Sequence, residues 1–252
     1  MTVRTERQEN VLVVTIDRPE RRNAVDAPTA AALVSAFREF DGDPTLSVAI
    51  LTGAGGHFCG GADLKAFAEG ELRPIRPDGD GPMGPTRMRL GKPVIAAIEG
   101  YAVAGGLELA LWCDLRVASE EAIVGVFCRR FGVPLVDLGT VRLPQIVGLG
   151  RAMDLVLTGR AVNAQEAWSM GLVNRVVPAG QALPAALELA QALTALPQAC
   201  MRNDRLSLLE SLDLDAQGAM ENEVRHAQAT LASGESAAGA DRFHQGQGRH
   251  GR

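Results

Sequence analysis

Residues 100–114 read GYAVAGGLELALWCD, and the rest of the chain is best understood outward from them. An apolar, helix-forming run opens with the pair Gly105-Gly106 and carries a single acid, Glu108, among Leu107, Leu109, Leu111 and Trp112. Each glycine costs roughly 1 kcal/mol in a helix relative to alanine. A carboxylate taken out of water among leucines costs more. Both choices need a reason: the glycines a close approach at the helix N-terminus, and the acid either a site that it faces or a neighbouring donor that satisfies it.

The flanks have a regular grammar. VLVVTID (11–17), SVAILTG (47–53), KPVIAAIEG (92–100) and DLRVAS (114–119) are short, β-branched and apolar, and they predict strands. An amphipathic helix is expected from about Pro28 to Phe40, with more helix after residue 140. Strands alternating with helices imply βαβ units around a buried, largely parallel sheet. Residues 69–91, EGELRPIRPDGDGPMGPTRMRLG, are too rich in Gly and Pro to propagate helix or strand. They are expected to form either a mobile flap near a binding site or a disordered surface loop.

The composition narrows the function. With 46% hydrophobic and 22% charged residues in 252, the chain is globular, and a net charge of −5 lacks the basic excess of a nucleic-acid binder. No run reaches the roughly 20 apolar residues that span a bilayer, and no secretory h-region precedes the first strand, so a cytoplasmic protein is expected. Cys59, Cys113, Cys128 and Cys200 lie too far apart for a CxxC metal pair and are expected as reduced, mostly buried thiols. No metal or separate cofactor is implied.

A second glycine-rich segment, LTGAGGHFCGGADLKAF (51–67), leaves a strand through a loop and enters a helix. It makes a poor dinucleotide fingerprint, because Phe58 stands where GxGxxG needs its third glycine. Taken with residues 100–114 it suggests something else. Each segment opens a helical turn through glycine, at Gly61-Ala62 and at Gly105-Gly106, where the first N–H groups lack an intrahelical partner. Two such N–H groups aimed at one point would form an oxyanion hole for a thioester becoming an enolate.

FCGGADLK (58–65) and GYAVAGGLELALWCDLRVA (100–118), with RPERRNAV (18–25) upstream and LTGRAVNAQEAWSMGLVNRVV (157–177) downstream, resemble the crotonase family of enoyl-CoA hydratases and isomerases. The resemblance covers nearly the whole chain. It implies an α/β fold, a spiral of ββα repeats over residues 1–195, and a C-terminal helical region, 196–252, used in assembly as a homotrimer or a dimer of trimers. It implies an acyl-CoA thioester as substrate, with CoA entering only as part of that substrate. The oxyanion donors fall on the backbone N–H groups of Ala62 and Gly105, and Glu108 matches the first catalytic glutamate. Gly60, Gly61, Asp63, Leu64 and Lys65 are expected to line the CoA pocket, and Gly106 to let the thioester approach. Arg22 stands where the family often contacts CoA; a solvated arginine in a turn is the other reading.

The chain departs from the family pattern at one place. Family hydratases carry a second glutamate about twenty residues after the first, and here the ungapped count falls on Cys128, in VGVFCRRFGVPLVDLGTVRLPQ (124–145). A thiol cannot replace that acid without a strongly shifted pKa. Asp137 is the nearest carboxylate able to re-enter the pocket, as some family isomerases place an aspartate in this loop; a loop or helix-cap aspartate is the alternative. Arg129 and Arg130 face either an acidic acyl group or a neighbouring subunit. The leading expectation is enoyl-CoA hydration, the alternatives being double-bond isomerisation with Glu108 and Asp137, or thioester binding without hydratase chemistry.

Overall fold

A six-stranded sheet forms the floor of the molecule, in the order β1-β2-β3-β4-β6-β9, in a computed structural model that describes residues 2–70 and 75–247. β1 (Val3–Gln8) and β2 (Val11–Ile16) make an antiparallel hairpin. After helix α1 (Ala27–Gly42), β2 pairs in parallel with β3 (Val48–Gly53), so that Val14 faces Leu51 across the ladder. Short helix α2 (Leu64–Ala68) precedes β4 (Val94–Ile98), which extends the parallel set beside β3. The chain then runs through β5 (Tyr101–Val103) and α3 (Gly105–Trp112) into β6 (Leu115–Ser119), parallel to β4. β7 (Ile123–Gly125), α4 (Gly139–Val147), α5 (Leu149–Thr158), β8 (Val162–Asn163), α6 (Ala164–Ser169) and β9 (Arg175–Val177) complete the spiral. β5, β7 and β8 form a second, three-stranded sheet.

The period of two along each strand divides the core into two layers. Val11, Val13, Val48, Ile50, Ile95, Ala97 and Val117 pack against Ala186, Leu189 and Ala190 of helix α7 (Ala182–Thr194). Their neighbours Val14, Ile16, Ala49, Leu51, Ala96, Ile98 and Ala118 point the other way, into a larger core that includes Phe37 and Phe40 of α1. Strands apolar on both faces are what a covered parallel sheet requires. α1 begins where expected because the Asp26 side chain accepts from the Thr29 N–H and Pro28 sits in the first turn.

β1 escapes the sequence reading. VRTERQ shows no apolar alternation because it is an edge strand with four consecutive exposed residues, held by its ladder to β2 and tipped with charges.

Residues 69–91 correct the flap-or-loop expectation in part. Residues 71–74 lie outside the described residues, but 81–87 form a buried plug: Met83, Pro85 and Thr86 are almost wholly inaccessible. A disordered loop would leave these groups in water; here they back the N-terminus of α3.

α3 is locked at both ends. Its C-terminal carbonyls are taken by the buried Arg116 guanidinium, whose Nη1 donates to Ala110 O (3.2 Å) and Cys113 O (2.7 Å) while Nε donates to Leu172 O (2.8 Å). At its N-terminus an ideal Cβ on Gly106 would lie 2.1 Å from Cys59 O. The glycine is therefore demanded by the protein's own backbone.

Helices α8 (Gln198–Ser211), α9 (Ala216–Ala232) and α10 (Glu235–His244) close the described chain, and they lean on the core through few contacts. Arg205 ties α8 to Asp114 (2.7 Å) and to Leu90 O (2.7 Å), and Glu235 accepts from the N–H groups of Ala199 and Cys200 at the start of α8. Leu208, Met220, Val224 and Leu231 stay exposed on this layer. Among the described residues no helix is long and apolar enough to cross a membrane. Cys59, Cys113 and Cys128 are buried and Cys200 is half-buried, all as free thiols.

Gly106→Ala is expected to destabilise the protein by at least about 2 kcal/mol, since a methyl group meets backbone that cannot yield without moving a strand. Urea unfolding followed by circular dichroism measures it, and a loss under about 0.5 kcal/mol would show that the crossing has slack.

Candidate active site

Two stretches of backbone from distant parts of the chain cross at the N-terminus of α3. Cys59 N–H donates to Tyr101 O (2.8 Å) and Val103 N–H to Cys59 O (3.1 Å), so residues 58–60 run beside β5. On the other side Val25 N–H donates to Gly61 O (2.8 Å) and Asp63 N–H to Val25 O (2.9 Å). With Gly61 and Asp63 turned toward Val25, the N–H of Ala62 points the opposite way. Ala104 then takes a left-handed φ of 54° while its N–H donates to Gly125 O (2.9 Å). That strained residue turns the next peptide, whose Gly105 N–H is the first of α3. An ideal Cβ on Gly61 would lie 3.1 Å from Gly105 N, a measure of how near the stretches come. Among the described residues no protein acceptor takes the N–H of Ala62 or of Gly105, and both residues line one cavity of about 470 Å³.

Glu108 lines the same cavity, one turn into α3, and is 3% exposed. Its Oε1 accepts from Asp137 N–H (2.9 Å) and Gly139 N–H (2.8 Å), the latter the first N–H of α4. Gly139 must be glycine for this approach, because a Cβ would stand 2.7 Å from Oε1. Burial and the nearby Asp137 carboxylate push the Glu108 carboxyl up to about 7, against the opposing pull of those amides. A carboxyl that titrates near neutrality is suited to giving and taking protons.

Asp137 lies inside, not at the surface: it is 1% exposed, borders the cavity, and its charge opposes that of Glu108. It is no loop-surface or helix-capping residue. Its Oδ1 accepts from Met83 N–H (2.9 Å) and from the Thr86 hydroxyl. Arg142, from α4, donates to Asp137 O (3.1 Å) and Thr86 O (2.7 Å), joining the plug to the loop that cradles Glu108. Met83, Thr86, Gly139 and Arg142 are the contributors missed in the sequence, where only the glycine in DLGT hinted at them.

The remaining expected residues divide. Gly60, Leu64 and Arg22 line the cavity, and Arg22 sets its guanidinium 5.2 Å from the centroid of the Tyr101 ring. Gly61, Asp63, Lys65 and Gly106 do not. Asp63 is occupied structurally, capping α2 through the N–H groups of Lys65 and Ala66 and pairing with Arg18 at 3.0 Å. Lys65 is exposed on α2, and Gly61 and Gly106 belong to the backbone crossing. Gly106 is required by its approach to Cys59 O. Gly105 likewise packs against Met83, whose Sδ would lie 2.6 Å from a Cβ there.

Cys128 borders the cavity from the turn 127–131, and burial with the Glu108 charge beside it raises its thiol pKa. Arg130 stacks 3.7 Å from the Phe127 ring centroid and donates to Gly159 O (2.9 Å), while Arg129 donates to Val156 O (3.0 Å). Among the described residues no cluster of three His, Cys, Asp or Glu side chains is arranged to hold a metal ion.

A two-sheet spiral with helices outside is the crotonase fold of enoyl-CoA hydratases. The chain belongs to the enoyl-CoA hydratase/isomerase family, whose model matches residues 6–247. It is 43% identical over 201 residues to an enoyl-CoA hydratase of Mycobacterium tuberculosis, covering 75% of this chain and 73% of that protein. It is 40% identical over 225 residues to the carnitinyl-CoA dehydratase of Proteus mirabilis, covering 84% of each. The crystal structure of an enoyl-CoA hydratase from Mycobacterium marinum matches with a TM-score of 0.91 at 37% identity, over 97% of this chain and 96% of that one.

The raised carboxyl has a stability consequence with a definite sign. Between an unfolded value near 4.5 and a folded value of about 7, the native state keeps a proton that the unfolded chain releases. Stability from this group is therefore complete below the lower value and is lost as pH rises to the upper one, by about 3 kcal/mol. Glu108→Gln removes this loss, so its stability relative to the parent should rise from pH 5 to pH 8. Parallel urea titrations at both pH values check this, and equal differences at the two would refute the assignment.

Proposed function

We propose that the protein is an acyl-CoA thioester enzyme that hydrates enoyl-CoA substrates. What supports the reading is that Ala62 and Gly105, whose main-chain N–H groups have no acceptor among the described residues, line one cavity with Glu108. The thioester oxygen sits between the two N–H groups, which stabilise the charge that develops there by several kcal/mol. Ionised Glu108 takes a proton from water as the water oxygen bonds to the β-carbon, and the π electrons move to the thioester oxygen as an enolate. The enolate then reforms the carbonyl and takes the proton from Glu108 at the α-carbon, restoring the carboxylate. One carboxyl near neutral pKa serves both transfers.

In this reading Cys128 occupies the position of the family's second glutamate as a neutral thiol bordering the acyl space. Arg22, Gly60 and Leu64 receive the CoA moiety. The exposed leucines of α8 and α9 are the faces through which copies of the chain assemble, as a trimer or a dimer of trimers.

Double-bond isomerisation is the second reading, favoured by the placing of Asp137 beside Glu108 at the cavity wall. The two bonds already accepted by its Oδ1 count against Asp137 as a freely moving proton carrier.

Incubating enoyl-CoA and saturated acyl-CoA thioesters with the protein in deuterated water separates the outcomes. Hydration with deuterium at the α-carbon is expected; a moved double bond without hydration would favour isomerisation, and neither would leave a binding protein. Glu108→Gln should lower kcat by about a hundredfold or more. For the parent, the hydration rate should climb as pH rises through about 7, where Glu108 ionises, and that limb should vanish in the variant. Cys128→Ala should stay within about threefold of the parent, because the thiol is held neutral. A hundredfold loss there would overturn the assignment of Cys128 as a bystander.

A further inference from the structure

The plug formed by residues 81–87 touches the proposed chemistry through one side chain. Thr86 is completely buried, lies in a 3₁₀ turn, and belongs to no conventional catalytic set. Its hydroxyl donates to Asp137 Oδ1, which also accepts from Met83 N–H at 2.9 Å. Its carbonyl accepts from Arg142 Nη2 at 2.7 Å, while Arg142 Nη1 donates to Asp137 O at 3.1 Å. The N–H of that same Asp137 donates to Glu108 Oε1 at 2.9 Å. Thr86 therefore grips both ends of Asp137: the carboxylate directly, the main chain through Arg142. Packing leaves little slack, since a Cβ on Gly81 would lie 1.9 Å from Thr86 Oγ1 and 2.4 Å from Asp137 Oδ1.

We infer that Thr86 is a positioning residue whose hydroxyl holds the Asp137 carboxylate in place beside Glu108, so that the plug governs the proton-transfer group without touching substrate. This rests on the reading of Glu108 as that group. The buried hydroxyl and the Met83 N–H fix where Oδ1 lies; without the hydroxyl the carboxylate is freer to turn away from Glu108. Among the described residues, charged groups near the pair include Arg142 from α4, and Arg87, whose Nη2 donates to Val136 O at 2.9 Å. The Cys128 thiol faces Glu108 from the other wall. Arg142 is bonded to backbone oxygens of Thr86 and Asp137, so the hydroxyl of Thr86 is a side-chain donor to the carboxylate that substitution removes without touching that cation.

The test compares Thr86→Val with Thr86→Ser in hydration kinetics across pH. Thr86→Val should lower kcat about tenfold with KM within about twofold, because binding and proton transfer are separate losses. Its pH limb should move to lower pH by about one unit, since a displaced Asp137 opposes the ionisation of Glu108 less. Thr86→Ser should restore both, and Asp137→Asn should shift the limb the same way and leave Thr86→Val little further effect on it. An unmoved limb in Thr86→Val, or a loss that serine does not rescue, would overturn the inference. Should valine prevent folding, Thr86→Ala takes its place; failure of both to fold would make Thr86 purely structural and equally overturn it. A fully active Glu108→Gln, by contrast, would remove the reading of Glu108 itself and is told apart from either result.

Discussion

The close crossing of two backbones, with Gly106 lying against Cys59 O, is the constraint from which the rest of this structure follows. It sets the entry of α3 beside residues 58–62 at a distance no side chain could occupy. Gly61 and Asp63 on one stretch and Ala104 on the other spend their hydrogen bonds on Val25 and Gly125, while Ala62 and Gly105, beside them, line one cavity with no acceptor for their N–H groups among the described residues. A positive-φ alanine at 104 is the local cost, a strain that the surrounding sheet and the plug overdetermine.

Electrostatics then builds on that geometry. The carboxyl of Glu108 is drawn out of water by its place on the inner face of α3, and two opposing influences act on it. Amides of Asp137 and Gly139 favour the charged form, whereas burial and the Asp137 carboxylate favour the neutral one. Burial wins by a margin that brings the group near neutrality and not beyond it. The same balance explains why the loop 136–139 closes on the glutamate through peptide groups: a side-chain cation there would have pulled the carboxyl far below the working range.

The buried plug changes how the cavity wall is understood. Glycine and proline within 81–87 deny it regular structure, yet Met83 and Thr86 are among the least accessible groups in the molecule. Irregular backbone is tolerated inside because its polar groups are answered individually, by Asp137, Arg142 and the turn's own bonds.

Much was legible before any coordinates. The four parallel strands, α1, and the helix carrying Glu108 announced themselves through apolar periodicity and helix caps, which are local properties of the chain. Family motifs pointed to Ala62, Gly105 and Glu108, because a helix N-terminus opened by glycine is visible as such. Edge strand β1, with no apolar face, was not. Nor was the division among Gly60–Lys65, where alternate residues turn toward the cavity and away from it, or the structural employment of Asp63 and Gly106. Whether Asp137 faced solvent or Glu108 depended on a hydroxyl fifty-one positions away in sequence. Composition and spacing encode which segments fold and where they start; which polar atoms meet is decided only when distant segments pack, because a hydrogen bond depends on ångströms and directions that no local pattern carries.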